Sequence, residues 1–147
     1  MHRSRIISCT VALTCCVFLL GSRSVSADEK KDKGKSDLSG TWVMKEGEMK
    51  IEFGDKKALK IMPHGDSDII VLSCDYTLEK DGVVKVKITG FEGKDEAKEA
   101  VKNILPVGSQ FSFKWTVKDD IAKLDDIKGD QADHIKSHME GEYRQKK

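Results

Sequence analysis

The stretch "QFSFKWTVKD", residues 110–119, alternates strictly between apolar and polar side chains. Its apolar members are Phe111, Phe113, Trp115 and Val117, and its polar members are Ser112, Lys114, Thr116 and Lys118. Successive side chains of a β-strand point to opposite faces, so this pattern predicts a strand with one apolar face and one polar face. Such a strand belongs in a sheet that covers a hydrophobic core on one side and faces water on the other.

The same alternation recurs on both sides of this stretch. It is clear in "EMKIEFG" (48–54), "KALKIM" (57–62), "DIIVLSCDYTLEK" (68–80) and "GVVKVKITGF" (82–91), and weaker in 41–46, 121–125 and "MEGEYRQ" (139–145). Asp81-Gly82 is a strong hairpin signal, and Glu46-Gly47, Gly54-Asp55 and Asp119-Asp120 are weaker ones. About eight antiparallel strands joined by tight turns predict a mainly β protein, an up-and-down barrel that closes on itself.

One segment departs from this pattern. "KDEAKEAVKNILPVG", residues 94–108, has apolar residues at helical spacing, acidic residues at its start, and Pro106 and Gly108 at its end. It predicts a short α-helix inserted between the fifth and sixth strands. The helix either docks near Ile69 and Val71 or covers one mouth of the barrel. "DQADHIKSH" (130–138) is either a helical turn or a loop.

The first 27 residues have the three parts of an export signal: Arg3 and Arg5, then an uncharged apolar core, then "SVSA" before a cleavage site after Ala27. A retained membrane anchor is the alternative. Residues 28–37, "DEKKDKGKSD", are charged and predict a disordered linker. The predicted organisation is therefore a signal peptide (1–27), a linker (28–37) and a barrel domain (38–147) in the periplasm or outside the cell.

Charge and cysteine content exclude two classes of protein. Without residues 1–27 the chain has 23 basic and 25 acidic residues, a net charge of −2, which gives no electrostatic support for binding nucleic acid. Only Cys74 lies outside the signal, so an intramolecular disulfide framework is excluded. The domain must be stabilised by a packed core, and no membrane span is expected after cleavage of the signal.

The sequence "LSGTW", residues 38–42, stands where the first strand begins. Gly40 and Trp42 in this position resemble the Gly-x-Trp motif of the lipocalin (calycin-type) superfamily. The chain is similar to small exported lipocalin-like domains of unknown function found in planctomycete-type bacteria. The resemblance implies that Trp42 plugs the closed end of the barrel and that a basic side chain of the last strand, here Arg144, lies across its ring.

An eight-stranded barrel either fills with side chains or holds one small ligand. If a ligand binds inside, the predicted contacts are Tyr76, Phe111, Phe113 and Trp115, and the ligand is small and apolar. The alternative is a filled core in a protein-interaction or structural module of the cell envelope.

Histidines and the remaining cysteine give little support for chemistry. His134 and His138 are four residues apart, and His64 and Cys74 could add further metal ligands. Zinc, however, needs about four donors that converge on one point. We expect no metal and no cofactor. Cys74 is predicted in an apolar, buried setting that does not activate a thiol, and no hydrolase or phosphate-binding motif is present. The sequence favours a non-enzymatic protein with no catalytic residues.

Overall fold

The structure, a computed structural model, describes residues 38–147, which form an eight-stranded closed barrel. The strands are β1 (Gly40–Met44), β2 (Lys50–Phe53), β3 (Ala58–Met62), β4 (Ile70–Leu78), β5 (Val83–Gly93), β6 (Gln110–Lys118), β7 (Ile121–Gly129) and β8 (Gly141–Lys146). Each pairs antiparallel with the next, and β8 pairs with β1 to close the barrel. The predicted mainly β, up-and-down architecture is confirmed. The predicted signal peptide (1–27) and linker (28–37) lie outside the described residues.

The alternation read in the sequence positions the core. In β6, Phe111, Phe113 and Trp115 are buried, while the residues between them face outward or are only partly covered. In β5, Val84, Val86 and Ile88 are buried in the same way. Because paired residues of neighbouring strands point to the same face, these rows meet inside the barrel as one continuous cluster.

The two ends of the barrel differ. One end of the barrel holds the segment just before β1 and three tight connections, namely β2–β3, β4–β5 and β6–β7. Asp81-Gly82 and Asp119-Asp120 have positive φ at both positions, as a two-residue hairpin turn requires. Gly54 and Asp55 also lie in a turn, the β2–β3 connection, but its positive φ angles are at Lys56 and Lys57.

The longer connections meet at the opposite end, and two of them contain helices. Helix α1 (Asp95–Ile104) lies between β5 and β6, which confirms the predicted insertion. Helix α2 (Ala132–Met139) lies between β7 and β8, so the undecided segment 130–138 is largely helical. Among the described residues, no helix has the length and apolar character required to cross a membrane.

Helix α1 occupies the second of the two positions expected for it. Its residues Val101 and Ile104 line the mouth of the barrel together with residues of α2. Ile69 packs against the same core cluster, and its carbonyl accepts a hydrogen bond from the Lys94 amide just before the helix. Val71 is buried but is not part of that cluster. The helix therefore covers the mouth and is anchored there through the β3–β4 connection.

Candidate functional site

Trp42 lies inside the barrel, toward the end with the tight turns. It is 1% exposed, and its indole Nε1–H donates a hydrogen bond of 3.2 Å to the Leu38 carbonyl. Its ring meets Trp115 edge to face, with centroids 5.5 Å apart and an interplanar angle of 86°. This geometry is the favourable arrangement for two aromatic rings. The plug role that the resemblance implies for Trp42 stays a prediction.

Gly40 and Arg144 take different positions relative to Trp42. Gly40 begins β1 beside β8, where an added Cβ would lie 3.0 Å from the Gln145 side-chain nitrogen. Arg144 is exposed and pairs with Val43, on the outward face of the sheet. The residue of β8 that pairs with Trp42 is Gln145. The structure therefore places Gly40 beside β8 at Gln145 and does not place Arg144 on the Trp42 ring.

The four aromatic residues predicted to contact a ligand pack within the core. Trp115 is central, with ring centroids 5.3 Å from Phe53, 5.4 Å from Tyr143 and 6.1 Å from Phe113. Phe113 also neighbours Phe111, at 6.3 Å, and Tyr76 meets Phe53 edge to face at 5.2 Å. These rings fill this part of the barrel with side chains, as small barrels allow.

The rings leave one buried donor without a conventional partner. Among the described residues, the Trp115 Nε1–H is the buried side-chain polar atom that makes no hydrogen bond. The side chain is 2% exposed and is surrounded by aromatic rings, whose faces can accept an N–H only weakly. The end of the barrel that contains Trp42 and Trp115 therefore holds an aromatic cluster with one unpaired indole donor.

A cavity lies at the opposite end, between the two helices and the barrel mouth. Its volume is about 580 Å³, within the usual range of small-molecule sites. Its apolar lining comes from three strands, both helices and the residues beside them: Met44, Met49, Ile61, Pro63, Leu72, Val101, Ile104, Leu105, Ile135 and Met139. Tyr76, Phe111, Phe113 and Trp115 are not among the described residues that line it. The open space of the barrel is therefore displaced from the predicted contacts to the mouth.

The polar lining of the cavity forms its rim. It consists of Glu46, Glu48, His64, His134, Ser137, His138 and Glu140, all of them exposed. His64 Nδ1 lies 3.4 Å from Glu48 Oε2, which links the β1–β2 and β3–β4 connections. The rings of His134 and His138 are neighbours on α2, with centroids 6.5 Å apart.

Metal ligation has no support from this rim. Within residues 38–147, no group of three or more histidine, cysteine, aspartate or glutamate side chains is arranged to hold an ion. Cys74, considered with the histidines as a donor, is buried inside the barrel and does not line the mouth.

Cys74 lies in the setting predicted for it. The thiol is 3% exposed, and burial, followed by the nearby Asp75 charge, raises its pKa from the ordinary 9.0 to about 12. Burial also raises the pKa of Tyr143, whose hydroxyl donates a 2.7 Å hydrogen bond to the Met139 carbonyl. A thiol with a raised pKa is a poor nucleophile at neutral pH.

These two pKa shifts predict a loss of stability in alkaline solution. Above about pH 9 the unfolded chain releases the Cys74 proton while the folded chain retains it, so the free energy of unfolding falls as pH rises. Each such group contributes a fall of up to about 1.4 kcal/mol per pH unit. Urea denaturation between about pH 9 and pH 11 measures this.

The variant Cys74→Val is the control for the alkaline prediction, because valine keeps an apolar side chain and cannot ionise. Its stability should fall less steeply over the same pH range, with the fall from Tyr143 remaining. Equal slopes for the two proteins would contradict the assignment of Cys74.

Comparison of the chain with protein-family models, with curated proteins and with solved structures finds no match. The functional argument therefore depends on the barrel and its mouth. The closed antiparallel barrel is compatible with a lipocalin-like fold.

The cavity was not predicted from the sequence because its lining comes from separate connections. The one local signal was the apolar face of α1, which needed a surface to cover. On the rim, His64 is far along the chain from His134 and His138, which are neighbours on α2. Only the closure of the barrel brings them to one mouth.

Proposed function

We propose that this chain is an exported, non-enzymatic β-barrel module that binds a small apolar molecule at its helix-covered mouth. The observation that carries the proposal is the cavity of about 580 Å³ between α1, α2 and the strand ends. Its deeper lining includes Ile61, Leu72, Ile135 and Met139, all buried and apolar. A concave apolar site with a few polar groups at its edge is typical of small-molecule binding.

Several features support the other parts of this proposal. The export-signal pattern of residues 1–27 supports a location in the periplasm or outside the cell. The closed barrel with Trp42 buried inside it supports the lipocalin-like resemblance. The buried Cys74 thiol, whose pKa is raised to about 12, supports a role without nucleophilic catalysis.

A cavity-filling variant tests the binding site. Val101 lines the cavity from α1 and is only partly buried, so Val101→Trp should fill the space with little disturbance of the barrel. We expect the affinity for the neutral fluorescent probe N-phenyl-1-naphthylamine to fall by roughly tenfold or more, a loss of about 1.4 kcal/mol. Fluorescence titration of the purified full chain measures the affinity.

Val107→Trp is the matched control for this experiment. Val107 follows the same helix, is 58% exposed and does not line the cavity, so the variant adds the same ring without filling the space. It should bind the probe like the original chain. A probe that does not bind the original chain, or that binds Val101→Trp equally well, would refute the proposed site.

The second candidate is a protein-interaction or structural module of the envelope, with a filled core. The aromatic cluster around Trp115 favours it, because that part of the barrel has no room for a ligand. The lysine-rich outer faces of β5 and β6 offer a surface for a protein partner. This candidate predicts no probe binding at the mouth and recovery of a specific partner from envelope extract.

A further inference from the structure

The rim of the mouth cavity has an unbalanced charge. Three carboxylates line it, those of Glu46, Glu48 and Glu140. None of the described residues that line it is lysine or arginine, although the chain has 26 of these residues against 25 aspartates and glutamates. The fixed charge of the rim is therefore negative in a chain whose charges nearly balance.

The lysines near the mouth are engaged elsewhere. Two of them bind acidic side chains that do not line the cavity: Lys45 binds Glu142 at 2.6 Å, and Lys102 binds Glu99 at 2.9 Å. The pKa of Asp126 on β7 is lowered mainly by its hydrogen bond to Lys128, and Lys136 of α2 adds a smaller charge effect. The charge of Glu140 also acts on Lys123, whose main partner is Asp125. Glu46 and Glu140 border a second groove together with Lys45 and Arg144. The excess of negative charge is therefore confined to the residues that line the mouth cavity.

The three carboxylates differ in how they are held. Glu140 Oε1 accepts a hydrogen bond of 3.3 Å from the Ile127 amide, which fixes its position beside the mouth. Glu48 contacts His64, and both side chains are more than half exposed, so a ligand can replace this contact. Glu46 makes no ion pair with any described residue and is open to solvent. A head group at the rim therefore meets carboxylates in water-accessible positions.

We infer that the ligand of the mouth cavity is amphipathic, with an apolar body inside and a cationic, ammonium-type head at the rim. This inference rests on the proposed function and names the class of ligand. An apolar body alone gives affinity without selecting a head group, whereas the charge of the rim attracts cations and repels anions. Fatty acids and other anionic amphiphiles are disfavoured because none of the described residues that line the cavity is lysine or arginine.

Three probes with the same hydrocarbon chain test the head group: decylamine, 1-decanol and decanoate. Each displaces N-phenyl-1-naphthylamine from the purified full chain at pH 8. We expect decylamine to bind roughly tenfold more tightly than decanoate, with decanol between them. Raising the salt concentration should reduce the difference, because exposed charges are screened.

A charge-neutral variant tests the rim directly. Glu46→Gln, Glu48→Gln and Glu140→Gln together keep the shape and hydrogen-bonding capacity of the rim, and they should remove the preference for decylamine without weakening decanol. Glu52→Gln is the matched control, since Glu52 lies on β2 and does not line the cavity. It should keep the full preference.

The outcomes separate this inference from the proposed function. Decanoate binding as tightly as decylamine, or a preference that survives the triple substitution, overturns the inference while the apolar site stands. Failure of all three probes and of N-phenyl-1-naphthylamine to bind overturns both.

Discussion

Replacing Trp42 by alanine should lower the free energy of unfolding by about 3–5 kcal/mol. The side chain is 1% exposed, so the substitution leaves a large cavity at the narrow end of the barrel. It also removes the edge-to-face contact with Trp115 and the hydrogen bond to Leu38 that ties the chain before β1 to the plug. The loss is large relative to the total stability of a small domain, about 5–15 kcal/mol.

Chemical denaturation followed by circular dichroism measures the effect, and two further variants interpret it. Trp42→Phe keeps an aromatic ring but loses the indole donor, and it should cost clearly less than the alanine variant. Val117→Ala, at an exposed position near the end of β6, should leave the denaturation midpoint almost unchanged. A midpoint unaffected by Trp42→Ala would show that the ring is not the plug.

The same variant distinguishes the two ends of the barrel. Trp42 does not line the mouth cavity, which lies beyond the aromatic cluster at the opposite end. Under conditions where Trp42→Ala remains folded, its affinity for N-phenyl-1-naphthylamine should match that of the original chain. Stability and binding are then properties of separate parts of one barrel.

The strands could be predicted because their signal is local and regular. In β6, the alternation of apolar and polar residues in "QFSFKW" predicts which side chains point into the barrel and which point outward, and the structure confirms this prediction. Helix α2 was undecided because it is only eight residues long, with Ile135 and Met139 as its two buried residues. So few positions cannot establish a helical period.

The surroundings of Trp42 show how one residue of register matters. Strand β8 faces Tyr143 inward, so Arg144 must face outward, and Gln145 returns to the side of Trp42. A shift of one residue moves a side chain to the other face of the sheet. The resemblance predicts that Arg144 of the last strand reaches Trp42, but the pairing of β8 with β1 brings Gln145 opposite Trp42 instead.

The cavity depends on the way the barrel ends, which no short pattern encodes. Its lining joins the connection after β1, the ends of β3 and β4, and both helices. The sequence instead predicts a ligand site among the largest aromatic side chains, but these side chains pack against one another in the core. The unfilled space lies where two helices cross the mouth of the barrel. A helix can cover an opening without filling it, whereas inward-facing residues of neighbouring strands fill the interior.

Gly93 connects the barrel to the helix that covers its mouth, and Gly93→Ala should be strongly destabilising. An added Cβ would lie 2.4 Å from the Ile69 carbonyl oxygen, a backbone atom that cannot move aside independently. The φ angle of Gly93 is +117°, which side-chain-bearing residues rarely adopt. Strain and overpacking together should lower the free energy of unfolding by about 2–4 kcal/mol.

Gly90 of the same strand provides the control for this prediction. A Cβ at Gly90 would meet no atom within 4 Å, and its φ is not positive, so Gly90→Ala should change stability by less than about 0.5 kcal/mol. Urea denaturation compares the two variants, and hydrogen exchange reports where the strain acts. Because the Lys94 amide bonds to the Ile69 carbonyl next to Gly93, the amides of α1 should lose protection in Gly93→Ala more than those of β6 and β7. Equal stability of the two alanine variants would mean that the β5–α1 junction does not hold the helix over the mouth.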